Sequence, residues 1–165
     1  MVDSRGTLAQ DGRRAERLEL RVPTTATQLP AVRAMAGDLA MRMDYDLDAV
    51  EDLRLAVDEA CATLTTIAEG DARLTVVFET TRAGLHIVAW VPTADGTEVP
   101  TDGFGWVVLA ALVDSVEGRR ATQGEVPAGD GSDAPVAVIS MHKYLPGQHP
   151  VEVGSDSGEN FSVAR

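Results

Sequence analysis

The first element of the chain is marked by alternating apolar and polar side chains. In the segment RLELRVP, Leu18, Leu20 and Val22 alternate with charged residues, which is typical of a strand with one buried face. Pro23 has no backbone N–H group to donate to a neighbouring strand, so the pairing should end there. The pattern therefore predicts a half-buried strand that begins at Arg17.

Two helical patterns follow this strand. Apolar residues recur every three or four positions at Leu29, Val32, Met35, Ala36, Leu39 and Met43. This spacing predicts a helix that reaches about Arg42, with Pro30 acceptable in its first turn. Asp46 is a suitable N-cap for a second, longer helix over residues 47–69, and Gly70 suits the position after its end.

The second half of the chain contains further apolar segments. RLTVVFET and GLHIVAWV are rich in β-branched residues and are joined by TRAG, so residues 73–91 predict a β-hairpin. FGWVVLAALVDSVEG, residues 104–118, is apolar on nearly all sides, as a buried helix or a buried strand is, and its length favours a helix. VAVISMHKY, residues 136–144, predicts the last strand.

The order strand, helix, helix, strand, strand, helix, strand predicts an α+β fold. It suits a two-layer α/β sandwich with helices on one face of a mixed, mostly antiparallel sheet. We expect one domain over residues 17–145. Residues 1–16 are polar and residues 146–165 are rich in glycine, serine and acids, so we expect a disordered N-terminal segment and a flexible C-terminal tail.

The charge and cysteine content exclude several classes of function. The chain carries 26 acidic and 14 basic side chains, a formal net charge of −12, and its field repels nucleic acid and anionic membranes. A single cysteine, Cys61, excludes a disulfide framework and a multi-cysteine metal site. Because no segment is apolar enough to span a membrane, we expect a soluble cytoplasmic protein.

The polar side of the long helix holds the first candidate site residues. On a helical wheel, Val57 lies on the stripe that should face the sheet, whereas Glu59 and Thr63 lie opposite. Asp58 falls between the two sides, four residues from Arg54, a spacing that allows a surface ion pair. Periodicity alone predicts no more than a solvated helix face. A functional site here requires a second element that covers this face.

The glycine-rich loop TDGFGW is the candidate for that second element. Gly103 and Gly105 immediately precede an apolar helix, and glycines there let backbone N–H groups approach a phosphate. Glycines are also common in ordinary turns, so the loop alone does not establish a phosphate site. Trp90 and Trp106 flank this region, where core packing is favoured over the lining of a pocket.

Taken together, three segments resemble a known family. They are LDAVEDLRLAVDEACATL, DGFGWVVLAALVDSVE and APVAVISMHKY. They are similar to anti-sigma factors of the serine-protein-kinase type, which belong to the GHKL superfamily with histidine kinases and gyrase. The resemblance implies ATP and Mg²⁺ as cofactors, Glu59 as general base, Thr63 in place of an asparagine that helps hold magnesium, and Gly103 and Gly105 at the phosphates.

This sequence departs from the family pattern at the nucleotide site. Val91 stands where the family has the aspartate that binds the adenine amino group, and the segment that normally covers the phosphates is reduced to residues 93–102. A site built for a polar group loses affinity and specificity when its own polar partner is missing. We therefore expect Glu59 to be a vestigial general base and the nucleotide site to be degraded.

The leading functional hypothesis is a binding protein that sequesters a sigma factor. The resemblance implies release by an anti-anti-sigma protein, a homodimer, and a partner contact through Arg33 on the first helix. The alternative is an active kinase that uses ATP to phosphorylate a serine of its antagonist. ATP turnover and antagonist phosphorylation that depend on Glu59 would distinguish the second hypothesis from the first.

A third hypothesis, a fragment of a sensor histidine kinase, is disfavoured. It requires a phosphoacceptor histidine on a helix before the sheet, and the chain has none there. The three histidines, His86, His142 and His149, are scattered without the spacing of metal ligands, so ordinary strand or surface positions are expected for them.

Overall fold

The computed structural model describes residues 15–148 of the chain. Its elements, in chain order, are the strand β1 (Arg17–Pro23), the helices α1 (Leu29–Arg42) and α2 (Leu47–Ile67), the strands β2 (Arg73–Thr80) and β3 (Gly84–Pro92), the helix α3 (Phe104–Leu112), and the strands β4 (Ser115–Thr122) and β5 (Pro135–Tyr144). The terminal segments for which the sequence predicts disorder, residues 1–16 and 146–165, lie mostly outside the described residues.

The five strands form one sheet with the helices on one face. The strand order is β1-β2-β3-β5-β4, and each of the four neighbouring pairs is antiparallel. Side chains of α1, α2 and α3 are buried in one apolar cluster with this face of the sheet. The predicted α+β fold, a two-layer sandwich, is confirmed.

The long helix α2 is capped and buried as its sequence predicts. The Asp46 side chain accepts a hydrogen bond from the Ala49 N–H group at 2.8 Å. The stripe that faces the sheet comprises Val50, Leu53, Val57, Ala60, Cys61 and Leu64, each at most 1% exposed. Burial of a valine or leucine side chain stabilises a protein by about 1.5–3 kcal/mol, so this stripe anchors α2 firmly.

The prediction of one helix over residues 104–118 is wrong in its second half. The helix α3 ends at Leu112, and Ser115 begins the edge strand β4, which pairs with β5 along its whole length. The segment for which the sequence predicts one helix covers α3 and the start of β4, whose residues are mostly polar. Pairing with β5, a contact distant in sequence, decides the structure of residues 115–118, and periodicity within the segment does not reveal it.

The opposite face of the sheet carries a second, smaller apolar cluster. Trp90 packs there with Val88, Val126, Val136 and Val138. Its indole Nε1 group donates a hydrogen bond to the Pro127 carbonyl oxygen at 2.9 Å. The expected core role of Trp90 is therefore confirmed, on the face away from the helices.

Trp106 also packs as a core residue. Its half-buried side chain contacts the main apolar cluster. A Cβ atom at Gly118 would lie 3.0 Å from Cη2 of Trp106. The Trp106 ring therefore packs against β4 at a position where the strand has a glycine.

Candidate functional site

Asp58 and Arg33 join the two long helices. Oδ2 of Asp58 on α2 lies 2.6 Å from Nη2 of Arg33 on α1. The ion pair that the sequence allowed between Asp58 and Arg54 does not form, because Arg54 pairs instead with Glu51 at 2.5 Å. The guanidinium of Arg54 lies over Gly37 of α1, where a Cβ atom would come within 2.4 Å of Nε. Packing between α1 and α2 therefore selects different charge partners from those that helical spacing suggests.

The Asp58 carboxylate is only partly satisfied. Its Oδ1 atom is buried and has no hydrogen-bond partner among the described residues. Buried carboxylate oxygens without donors are unusual, because they lose hydration without replacement. This oxygen is therefore an unused acceptor beside Arg33.

Glu59 faces the other neighbouring helix. A Cβ atom built on Gly105 would lie 2.0 Å from Glu59 Oε1, so the carboxylate occupies the space that a side chain at position 105 would need. Gly105 lies in the first turn of α3, where a negative charge interacts favourably with the helix dipole. The structure thus brings together Glu59 and one of the two predicted phosphate-loop glycines.

The other two site candidates are placed differently. Gly103 is the N-cap residue of α3, and a Cβ atom there would meet nothing within 4 Å. Thr63 lies one turn after Glu59 on α2 and is half-buried. Its backbone carbonyl accepts a hydrogen bond from the Thr66 hydroxyl at 2.7 Å. Both residues lie on the helical side of the sheet, in the elements where the sequence predicts them.

The position of the expected adenine-binding aspartate is a core position. Val91 is completely buried within the main apolar cluster, and it pairs with Ala137 of β5. The strand continues to Pro92, whose carbonyl accepts a hydrogen bond from the Glu69 N–H group at 3.0 Å. Thr93, buried as well, donates its N–H to the Pro135 carbonyl at 3.2 Å. These surroundings do not fit an adenine ring that is bound through a carboxylate at position 91.

Two of the three histidines meet in the sheet. His86 and His142 are opposite each other on β3 and β5, and their rings stack with centroids 4.0 Å apart. His86 also contacts Ser140 Oγ at 2.9 Å and Glu79 Oε2 at 3.3 Å. Burial, and then the neighbouring His86, lower the pKa of His142. In the sequence these histidines are far apart, and only the register of β3 and β5 in the folded protein brings His86 and His142 together. His149 lies outside the described residues.

Neither a cluster of metal ligands nor a membrane-spanning helix is found among the described residues. Residues 15–148 hold no cluster of three or more histidine, cysteine or acidic side chains arranged for a metal ion. Within that range, no helix is both long and apolar enough to cross a membrane. The thiol of Cys61 is buried, and burial, with a smaller effect of Asp58, raises its pKa to about 12.

Comparison with known proteins finds relatives that are named as an anti-sigma factor and as serine-protein kinases. The anti-sigma-F factor RsbW of Mycobacterium tuberculosis is 37% identical over 100 residues, which cover 61% of this chain and 60% of the relative. The serine-protein kinase RsbW of Bacillus cereus is 31% identical over 78 residues, 46% of this chain and 49% of the relative. The same kinase of Bacillus velezensis is 24% identical over 152 residues, 79% and 87% of the two chains.

The match to the Mycobacterium relative spans three-fifths of that relative's length. Residues 22–126, more than half of this chain, match the family model of the histidine kinase-like ATPase domain. This range includes α1, α2 and α3 and the strands β2, β3 and β4, and therefore all the candidate site residues. The chain belongs to the histidine kinase-like ATPase family, and its predicted resemblance to the anti-sigma factors of the serine-protein-kinase type is confirmed.

Proposed function

We propose that this protein is an anti-sigma factor that sequesters a cognate sigma factor and is released by an anti-anti-sigma antagonist, with a nucleotide site that no longer binds ATP usefully. The observation that carries the second half of this proposal is Val91, fully buried in the core where the family places a polar adenine contact. The names of the relatives, an anti-sigma-F factor and serine-protein kinases, support the first half. We place the protein in the cytoplasm, as a homodimer without direct contacts to nucleic acid or membrane.

Arg33 is the proposed contact to the sigma factor. Its side chain is 49% exposed, so the guanidinium is accessible from solvent while Asp58 holds it on one side. Arginine is enriched among the residues that dominate binding energy at protein interfaces. The acidic chain as a whole favours a basic partner, which chiefly increases the rate of association.

The experiment that tests sequestration is a binding titration. Each sigma factor of the source organism is purified and titrated with this protein by calorimetry, and the pair that binds is then examined with two variants. We expect Arg33→Ala to weaken binding about tenfold or more. Arg42→Ala is the matched control, because Arg42 lies on the same helix and is 50% exposed. Equal affinities of both variants would remove Arg33 from the proposed contact, and no binding to any sigma factor would refute the proposal.

The experiment that tests the nucleotide site is a second titration, with ATP and magnesium. Because Val91 offers no hydrogen bond to adenine, we expect no saturable heat at millimolar ATP. Saturable binding would contradict the proposed degradation of the site. The result is independent of the sigma-factor titration, so each half of the proposal has its own test.

One observation favours the alternative, an active serine kinase. Glu59 and Gly105 lie in contact, as expected if a general base stands beside a phosphate loop. In this alternative Glu59 would accept the proton of the antagonist's serine hydroxyl, and Thr63, Gly103 and Gly105 would hold magnesium and phosphates. Mass spectrometry of the antagonist, after incubation with this protein and ATP, distinguishes an active kinase from a protein that only binds its partners. Phosphorylation that is lost in Glu59→Ala would establish the kinase.

A further inference from the structure

A groove opens on the surface between α1 and α3. It has a volume of about 380 Å³, and α2, which packs against both of the other helices, forms its floor. Its walls are largely aliphatic and include Leu29 of α1, Leu55 of α2, and Val108 and Leu112 of α3. Leu55 is 55% exposed, in contrast to the buried stripe on the other side of the same helix. The groove therefore presents apolar surface that the described part of the chain leaves uncovered.

The polar groups of the groove have an excess of negative charge. Arg33, Asp58 and Glu59 line it, which places two carboxylates beside one guanidinium. Arg33 pairs with Oδ2 of Asp58, and Oδ1 of the same carboxylate is the buried acceptor without a donor. The Arg33 side chain is 49% exposed and the Asp58 side chain 25%, so a ligand in the groove can reach this ion pair. The complementary ligand is a cationic hydrogen-bond donor next to an apolar group.

We propose that this groove is a docking site for an amphipathic segment of the sigma factor, which inserts an aliphatic side chain against Leu55 and Leu112 and a basic side chain that pairs with Asp58. This inference rests on the proposed function and specifies its contact surface. A helix that lays its apolar side chains into a groove while adjacent basic residues meet acids at the rim is a recurring mode of recognition.

Two leucines of α2 provide a matched test of the apolar contact. Leu47 and Leu55 are both exposed, at 74% and 55%, but only Leu55 lines the groove. In a calorimetric titration with the sigma factor that binds the wild-type protein, we expect Leu55→Lys to weaken binding about tenfold or more, which corresponds to the loss of one central interface residue. Leu47→Lys should remain within about twofold of the wild type. Unfolding midpoints of both variants are measured alongside, to check that each variant is folded.

Asp58→Asn tests the charged contact. It keeps the shape of the side chain and removes its charge, so we expect about fivefold weaker binding and a smaller loss of affinity when salt is raised. Unchanged affinity and salt dependence would overturn the assignment of a basic side chain to Asp58.

The other outcomes separate this inference from the proposed function. If the wild-type protein binds a sigma factor and both leucine variants bind it equally well, the groove is not the docking site and the proposed function still stands. If Leu55→Lys retains the sigma factor but loses the antagonist, the groove belongs to the antagonist and the inference is wrong. If the wild-type protein binds no sigma factor, the proposed function itself fails.

Discussion

Restoration of the family's aspartate at position 91 should unfold the protein and leave ATP binding absent. Val91 is completely buried among apolar residues, and loss of such a valine from the core costs about 2 kcal/mol. A neutral carboxyl group without a hydrogen-bond partner adds about 1–3 kcal/mol. At pH 7 the group must also take up a proton about three pH units above its ordinary pKa, which adds about 4 kcal/mol. The total, about 8 kcal/mol, is comparable with the whole stability of a typical domain.

The loss of stability in Val91→Asp should depend on pH. Burial raises the pKa of an aspartate at position 91 in the folded state, so its ionisation penalty is absent below about pH 4 and grows by about 1.4 kcal/mol per pH unit above it. In urea denaturation, Val91→Asp should therefore be more stable near pH 5 than near pH 7, relative to the wild type. Val91→Ala is the control, with a loss of about 2 kcal/mol that is independent of pH. A folded Val91→Asp variant that binds ATP at pH 7 would refute this account of the site.

Three further predictions concern other parts of the fold. Gly105→Ala would displace the Glu59 carboxylate, but that carboxylate is the flexible end of its side chain and alanine favours a helix more than glycine, so the unfolding midpoint should not fall; a fall would show that Glu59 is held rigidly against α3. Cys61, with its pKa raised to about 12, should react with a thiol reagent at about pH 8 only in urea, and rapid reaction of the folded protein would contradict its burial. Because the pKa of His142 is lowered from 6.5, the unfolded chain binds that proton first, so stability should fall as pH drops through 6.5; urea midpoints of His142→Phe should show a smaller fall, and an identical one would exclude this residue.

The sequence predicts those features that depend on neighbours along the chain. The N-cap at Asp46 and the apolar stripe of α2 follow from local spacing, and both agree with the structure within two residues at the helix end. The strand β4 could not be predicted in the same way. Its residues, SVEGRRAT, are mostly polar and have no clear alternation, and only pairing with the antiparallel strand β5 defines them as a strand.

The candidate site shows the same division between local and distant contacts. Helical spacing suggested Arg54 as the partner of Asp58, but the guanidinium that reaches it is Arg33 of α1. Likewise, the stacking of His86 on His142 depends on a strand register that joins residues far apart in the chain. Side-chain partners across elements are fixed by packing, and a single sequence contains no periodicity that reports them.

The adjacent carboxylates of α2 have separate structural roles that do not need a nucleotide. Asp58 meets Arg33 on α1, and Glu59 lies against Gly105 on α3. Both contacts are made between helices, so a valine at position 91 of β3 leaves them intact while it stabilises the core. Since the buried stripe fixes α2 on the sheet, packing among the helices is enough to position Arg33 and the groove beside it. That arrangement fits the proposed function, in which the protein is regulated by exchange of its protein partners.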